Sequence, residues 1–407
     1  MPRPKKKFND HPFPYHHELE VGIDGLTNEG SGVARVEGWV VFVPFVLPGE
    51  RVRCRVFRNH KNYSEADLVE VLDAAPERVE PQCPLFGRCG GCQYQHVSYA
   101  TQLEWKGRQL ADLLKRLAGI EFPVEPVHAS PQQWGYRSKI TPHFHRPRDG
   151  QITEIGFLQA GTRNRLVDVE ACPIAMAELN AALVEVRQEV RQDGGRWKNG
   201  ATLLLRASEG TVVRDPKGLA VERVGPRRFE FQAGDFFQNN PFILPAFVEH
   251  VTTEARSFGV PTLVDAYCGS GLFGICAAEA FAEVVGVEVS ETAVEKARHN
   301  AAINGLDHCR FLAASAEAIF EEVDRSGAET VVVIDPPRAG CSEAFLRQLV
   351  EFAPVGLVYV SCKPATQMRD LKILTEGGYV LQKVRPFDLF PQTQHLECVM
   401  TLARAAP

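Results

Sequence analysis

Val358-Tyr359-Val360-Ser361-Cys362-Lys363-Pro364 is a β-branched apolar run that stops at a Ser-Cys pair, with a proline two residues on. Such a run reads as a buried parallel strand. The proline opens a helix that continues through Met368, Leu371 and Leu374. Cys362 therefore stands at the carboxyl end of a strand and just ahead of a helix N-terminus. In an open α/β sheet that is where ligands bind. The unpaired N–H groups of a helix start also favour a thiolate, so a lowered thiol pKa is expected. The plain alternative is a buried cysteine acting as a small hydrophobe. Its surroundings in the chain decide between the two.

The last third of the sequence supplies those surroundings. Strand-like runs at Leu263–Tyr267, Val284–Glu288, Arg310–Ala313, Thr330–Asp335, Leu357–Ser361, Tyr379–Pro386 and Leu396–Leu402 alternate with helical stretches, the rhythm of a doubly wound sheet. Asp265-Ala-Tyr267-Cys-Gly269-Ser-Gly271 is a strand end followed by a Gly-rich turn, where backbone approaches a ligand closely. Glu288 closes the next strand and can accept both hydroxyls of a ribose. The order fits NAD or S-adenosylmethionine, and the missing third glycine weakens NAD. Asp335-Pro336-Pro337-Arg338 ends the fourth strand, and Glu397 opens the last one, facing the same cleft as Cys362. Upstream, Phe236-Phe237-Gln238-Asn239-Asn240 sets amides beside aromatic rings, which suits reading a base edge while stacking on it.

Length and composition bound the rest. The 407 residues allow two or three domains, and no apolar run is long enough to span a bilayer. Cytoplasm is expected. Net charge is −6, so a nucleic-acid partner must be argued from local clusters. Residues 1–14 form a basic, Pro-rich tail. Residues 15–74 read as short strands at the spacing of a small OB-type β-barrel. There Arg51, Arg53 and Arg55 alternate with Val52, Cys54 and Val56 and share one face. Either they are a solvated edge guarded by charge or, with Tyr63 near, a platform for RNA. The RNA reading is preferred. Residues 97–118 read as an amphipathic helix, and 123–230 as mainly β with a helix near 174–192.

Cys83, Cys89 and Cys92, with Gly90-Gly91 between the last pair, have metal-ligand spacing. Cys172, in a Cys-Pro pair that echoes Cys83-Pro84, is the preferred fourth ligand, and His96 the lesser choice. Four thiolates suit zinc or an iron–sulfur cluster, and the lone CxxC favours iron.

Taken together and in order, Cys-x5-Cys-x2-Cys, Phe-Phe-Gln, Asp-x-Tyr-Cys-Gly-x-Gly, Asp-Pro-Pro-Arg, Ser-Cys-x-Pro and His-x-Glu resemble the RNA uracil-C5 methyltransferases, over residues 15–404. The iron–sulfur branch acting on 23S ribosomal RNA is the nearest in pattern. The resemblance implies a TRAM barrel at 15–74, a central, mainly β domain at 75–235 with a [4Fe–4S] cluster on Cys83, Cys89, Cys92 and Cys172, and a Rossmann-like methyltransferase domain at 236–407. It implies S-adenosylmethionine contacts from Gln238, Tyr267, Glu288 and Asp335, Cys362 as nucleophile and Glu397 as general base. Many members carry Asn after the GxG, where this chain has Leu272, which puts one cofactor contact in doubt. RNA, foremost 23S ribosomal RNA, is the expected partner, with no membrane and a monomeric chain. Transfer-RNA T-loop methylation is the alternative; it ranks second because such relatives generally lack barrel and cluster cysteines. A non-catalytic iron–sulfur RNA-binding or ribosome-assembly protein is the third reading, and the presence of Cys362 and Glu397 argues against it.

Overall fold

The computed structural model describes residues 8–315, 319, 320, 323 and 325–405. The basic start of the tail at 1–7 lies outside the described residues. Two compact units emerge: residues 1–109 with 159–163 and 392–394, and 110–158 with 164–391 and 395–407.

In the first unit six strands form one sheet: β1 (Glu18–Gly22), β2 (Gly25–Leu26), β3 (Ser31–Val36), β4 (Trp39–Pro44), β5 (Arg51–Asn59) and β6 (Tyr63–Asp73), in the order β1-β5-β6-β4-β3-β2. All pairs are antiparallel except β4 with β6. Val52, Cys54 and Val56 are fully buried with Val41, Val43 and Ala66, so the alternation read in β5 is the alternation observed. The outward arginines do not form a free basic face. Register sets Glu18 opposite Arg55 and Glu20 opposite Arg53. Arg55 meets Glu18 at 2.7 Å, Arg53 meets Glu20 and Glu70 at 3.1 and 2.9 Å, and Arg51 meets Asp73 and Glu20 at 2.7 and 3.1 Å. Their charge is matched on the sheet itself.

The second unit carries the large sheet: β7 (Thr262–Ala266), β8 (Glu283–Glu288), β9 (Cys309–Ala313), β10 (Thr330–Ile334), β11 (Gly356–Ser361), β12 (Tyr379–Phe387) and β13 (Glu397–Arg404). The order is β9-β8-β7-β10-β11-β13-β12. The first five are parallel, and β13 runs antiparallel to both β11 and β12. Every expected strand is found, with ends moved by at most two residues. Successive residues feed opposite faces: Val358 and Val360 join the layer with Phe247, Val251 and Ala297, while Leu357 and Tyr359 join Phe345, Met368 and Leu371. Helices thus cover both faces, which is why the strands read as continuous apolar runs. Strand order reverses between β7 and β10, so a crevice opens at their carboxyl ends.

Between these sheets in the chain lie short hairpins and the helix Ala177–Gln192, which buries Leu179, Leu183 and Val186 against Ile140, Phe144 and Ile155. The expected helix near 97–118 is Tyr99–Leu113, continued by a wider turn to Ala118.

Gly286, in β8, marks how tightly the cofactor-side layer is packed. A Cβ there would collide with the Cδ1–Cε1 edge of the Phe311 ring and lie 3.1 Å from Cys268 Sγ. Gly286→Ala should cost about 1–3 kcal/mol through overpacking. A urea midpoint lowered at constant m-value checks this, and an unchanged midpoint would show that the ring can swing aside.

Candidate active site

The carboxyl ends of β7, β8, β10 and β11 and the start of β13 hold the residues singled out in the sequence. Cys362 follows β11 and precedes the helix Pro364–Glu376, where proline takes the first helical position. Ser361 pairs with Cys398 across the β11–β13 ladder. One step beyond that pair, Cys362 and Glu397 come face to face. Glu397 is 4% exposed. Burial pushes its carboxyl up to about 8, Asp335 adds to the shift and Arg338 opposes it.

The thiol departs from expectation. A helix start was expected to depress its pKa, yet burial pushes Cys362 up to about 11, and the carboxylates of Glu397 and Asp335 push the same way. Burial comes first among the causes and the two acids follow. Arg338, by charge and by a hydrogen bond to the sulfur, is what pulls the value back. The sequence reading did not assign Arg338 this part, although its place three residues after Asp335 was a usable signal. Its Nη2 lies 3.5 Å from His395 Nε2, and its carbonyl accepts the Thr366 hydroxyl at 3.2 Å.

On the other side of the switch point the Gly-rich turn closes over Glu288. Gly269 N–H and Ser290 N–H donate to its two carboxylate oxygens at 3.2 and 3.1 Å, which fixes the carboxylate at the strand end. Tyr267 adopts a left-handed backbone (φ 62°), an uncommon state for a bulky residue, and its ring meets Phe345 edge-on at 5.4 Å. Gly271, at φ 89°, heads the helix that starts at Leu272, and Leu272 is buried in the core. Asp265 is fully buried. One oxygen accepts Gly274 N–H at 2.8 Å, and Oδ1 has no hydrogen-bond partner. Burial lifts Asp265 and Asp335 each to about 7.

Gln238 is buried between Phe237, which stacks on Phe231 at 4.5 Å, and Asn240, which donates to the Leu389 carbonyl at 2.9 Å. Phe236, by contrast, is 77% exposed.

Cys83, Cys89 and Cys92 lie in the first unit and Cys172 in the second. Among the described residues none of the four is in a disulfide. Cys83 and Cys89 are near enough for one thiolate to disfavour the other. The donor chemistry suits a four-thiolate site, but among the described residues no group of three or more His, Cys, Asp or Glu is gathered to hold a metal. His96, the other ligand considered, is 1% exposed, with Nε2 3.4 Å from the Val46 carbonyl, and burial lowers its pKa to about 4.

Comparison with known proteins identifies the family. The family described as tRNA (uracil-5-)-methyltransferase matches residues 219–405, and the TRAM domain matches residues 17–69. The tRNA (uracil(54)-C(5))-methyltransferase of Schizosaccharomyces pombe is 38% identical over 97% of this chain and 79% of its own length. The chain belongs to the RNA uracil-C5 methyltransferase family. The Saccharomyces cerevisiae tRNA (uracil(54)-C(5))-methyltransferase is 34% identical over 96% of this chain and 74% of its own length. Among solved structures, the Pyrococcus abyssi tRNA (uracil-54, C5)-methyltransferase in complex with S-adenosyl-L-homocysteine is 26% identical, with a TM-score of 0.73 over 95% of this chain and all of that one. A methyltransferase of this family acts on RNA and takes its methyl group from S-adenosylmethionine. Nearly full-length likeness to proteins named for tRNA also removes the argument that an N-terminal barrel speaks for ribosomal RNA.

The raised Glu397 has a consequence for stability in this methyltransferase. Its folded pKa lies above the unfolded value, so ionisation works against the fold. The cost is absent below about 4.5, grows with pH and is complete above about 8. Glu397→Gln should therefore stabilise the protein by about 2–4 kcal/mol above pH 8 and by little near pH 4.5. Denaturant titrations at the two ends check it. An equal effect at both would show that the fold does not hold this carboxyl up.

Proposed function

We propose that the protein methylates C5 of uridine 54 in the T-loop of transfer RNA. The observation that carries this reading is the near full-length likeness to three proteins named for that reaction. It replaces the first choice of 23S ribosomal RNA.

The mechanism assigned to the residues runs as follows. C5 of uracil is a poor nucleophile. The Cys362 thiolate adds to C6, the ring takes up the electron pair as an enolate, and C5 gains carbanion character. Bound S-adenosylmethionine would supply the methyl carbon, which C5 would take as the S–CH3 bond breaks and the sulfonium leaves as a neutral thioether. Glu397 removes the C5 proton, the electrons re-form the C5–C6 double bond, and the C6–S bond breaks to release Cys362. A base with a pKa near 8 is well matched to that proton at neutral pH. Arg338 stabilises the thiolate before attack. Glu288 is assigned to the cofactor ribose, and Gln238, Tyr267 and Asp335 to the rest of the cofactor. A uridine inside a folded loop must leave its stack to reach Cys362, and the exposed ring of Phe236 suits the vacated position. Cys83, Cys89, Cys92 and Cys172 are proposed to hold a [4Fe–4S] cluster, and no step of the chemistry requires it.

The substrate is tested by mapping 5-methyluridine by mass in RNA from a deletion strain. Loss at position 54 of tRNA is expected, and loss in 23S ribosomal RNA alone would restore the ribosomal reading. For the chemistry, Cys362→Ala should abolish methylation and form no adduct. Glu397→Gln should still add and methylate, then stall, leaving methylated RNA bound to protein on a denaturing gel. Normal turnover by Glu397→Gln would remove the base, and methylation by Cys362→Ala would remove the mechanism. For the cluster, anaerobically purified protein should carry about four irons per chain, with Cys172→Ala losing them. Stoichiometric zinc without iron would sink that assignment.

A further inference from the structure

Arg206 is 1% exposed, and neither its Nε nor its Nη1 has a hydrogen-bond partner. An unsatisfied buried guanidinium is expensive, since each unpaired donor forfeits its hydration. Its surroundings show what the spare donors suit. Arg206 sits on the strand Leu205–Ser208, opposite Lys139 in an antiparallel ladder, so the two cations are cross-strand neighbours.

Neither cation is held by a carboxylate. Lys139 Nζ donates to the carbonyls of Gly234 and Asp235 at 2.9 and 3.1 Å, and Arg206 Nη2 reaches the Asp235 carbonyl at 3.4 Å. The two backbone oxygens occupy positions that oxygens of an anion would take. The acids acting on Arg206 through space are Glu222 and Asp235, and burial leaves Glu222 less readily ionised. The segment that supplies the carbonyls leads directly into exposed Phe236 and buried Phe237, and Phe237 stacks on Phe231, the ring beneath the Arg206 guanidinium.

We propose that Arg206 and Lys139 form a seat for one phosphodiester of the RNA substrate, covered in the free protein by the carbonyls of Gly234 and Asp235. Entry of the phosphate displaces those carbonyls and shifts the segment carrying Phe236 and Gln238, coupling the RNA backbone to the cofactor side of the cleft. The seat rests on the RNA-methyltransferase reading but not on which RNA is modified. A carboxylate of the cofactor offers the same oxyanion chemistry, and the test separates the two.

Full-length wild type and Arg206→Gln are titrated with two RNAs, a tRNA T-arm hairpin and a uridine-bearing 23S hairpin. Each is used unmodified and with a single methylphosphonate walked along the phosphates near the target. S-adenosylmethionine binding is measured by calorimetry. Arg206→Gln should weaken binding of unmodified RNA about tenfold and flatten the log Kd against log salt slope by about one. It should leave cofactor affinity unchanged. One methylphosphonate position should weaken the wild type by the same factor and not weaken Arg206→Gln further. Should Arg206→Gln fail to fold, Lys139→Gln, at the half-buried partner, is put through the same scan with the same expectation. Wild type binding only one of the hairpins corrects the RNA identity without touching the seat. A variant that binds RNA like wild type, a methylphosphonate effect that adds to the variant at every position, or a loss confined to the cofactor would overturn the proposal.

Discussion

The antiparallel pairing of β11 with β13 is the interaction on which the site depends. The parallel strands alone would present Cys362 at an edge with no acid opposite. Inserting β13 beside β11, with Ser361 on Cys398, delivers Glu397 to the thiol from a segment thirty-five positions later in the chain. A slip of one residue would turn Glu397 onto the other face, because side chains alternate along a strand. Buried bonding resists that slip. The Gln367 amide donates to Tyr359 of β11 at 2.9 Å and to Cys398 of β13 at 3.2 Å, and Val399, Met400 and Leu402 are locked in the two core layers. A helix that begins two residues after Cys362 therefore also staples the strand that carries Glu397.

The electrostatics of the cleft make two demands that pull apart. Asp265, Asp335 and Glu397 are all held up towards neutrality, chiefly by burial, and they disfavour one another's charge. Such a cluster favours an arriving cation, and a sulfonium is one. The same field opposes the Cys362 thiolate. Arg338 reconciles them locally, because its hydrogen bond acts on the sulfur while its charge also lowers Glu397. In the mechanism proposed above, sulfur bonded to C6 is a neutral thioether, so the repulsion from Glu397 is gone at the stage where Glu397 acts as the base.

What could be read from sequence follows the range of the interactions. The strand and helix rhythm of residues 262–404, the Gly-rich turn and the strand-end positions of Glu288, Asp335, Cys362 and Glu397 are carried by local pattern, and the ladders place them as expected. The direction of the thiol shift was not legible, since it is set by carboxylates from β10 and β13 and by burial from both layers. The face of Arg51, Arg53 and Arg55 was read correctly, but its matching by Glu18, Glu20, Glu70 and Asp73 comes from two neighbouring strands whose register no spacing reveals. The cysteines show the same limit. Their spacing speaks for thiolate ligation, while gathering them depends on contacts between distant parts of the chain.

That distinction bears on where an RNA is gripped. An arginine already bound to carboxylates has little net field to offer a phosphate, and exchanging one partner for another gains little. The arginines of β5 are in that state. In the second unit, Lys139 and Arg206 are held by backbone carbonyls, which carry no net charge, and Arg338 by a thiol and an imidazole. Glu222 and Asp235 act on Arg206 only through space, so an incoming phosphate displaces dipoles and not a bound carboxylate. By this criterion Lys139 and Arg206 are better prepared to take a phosphate than the arginine row of β5.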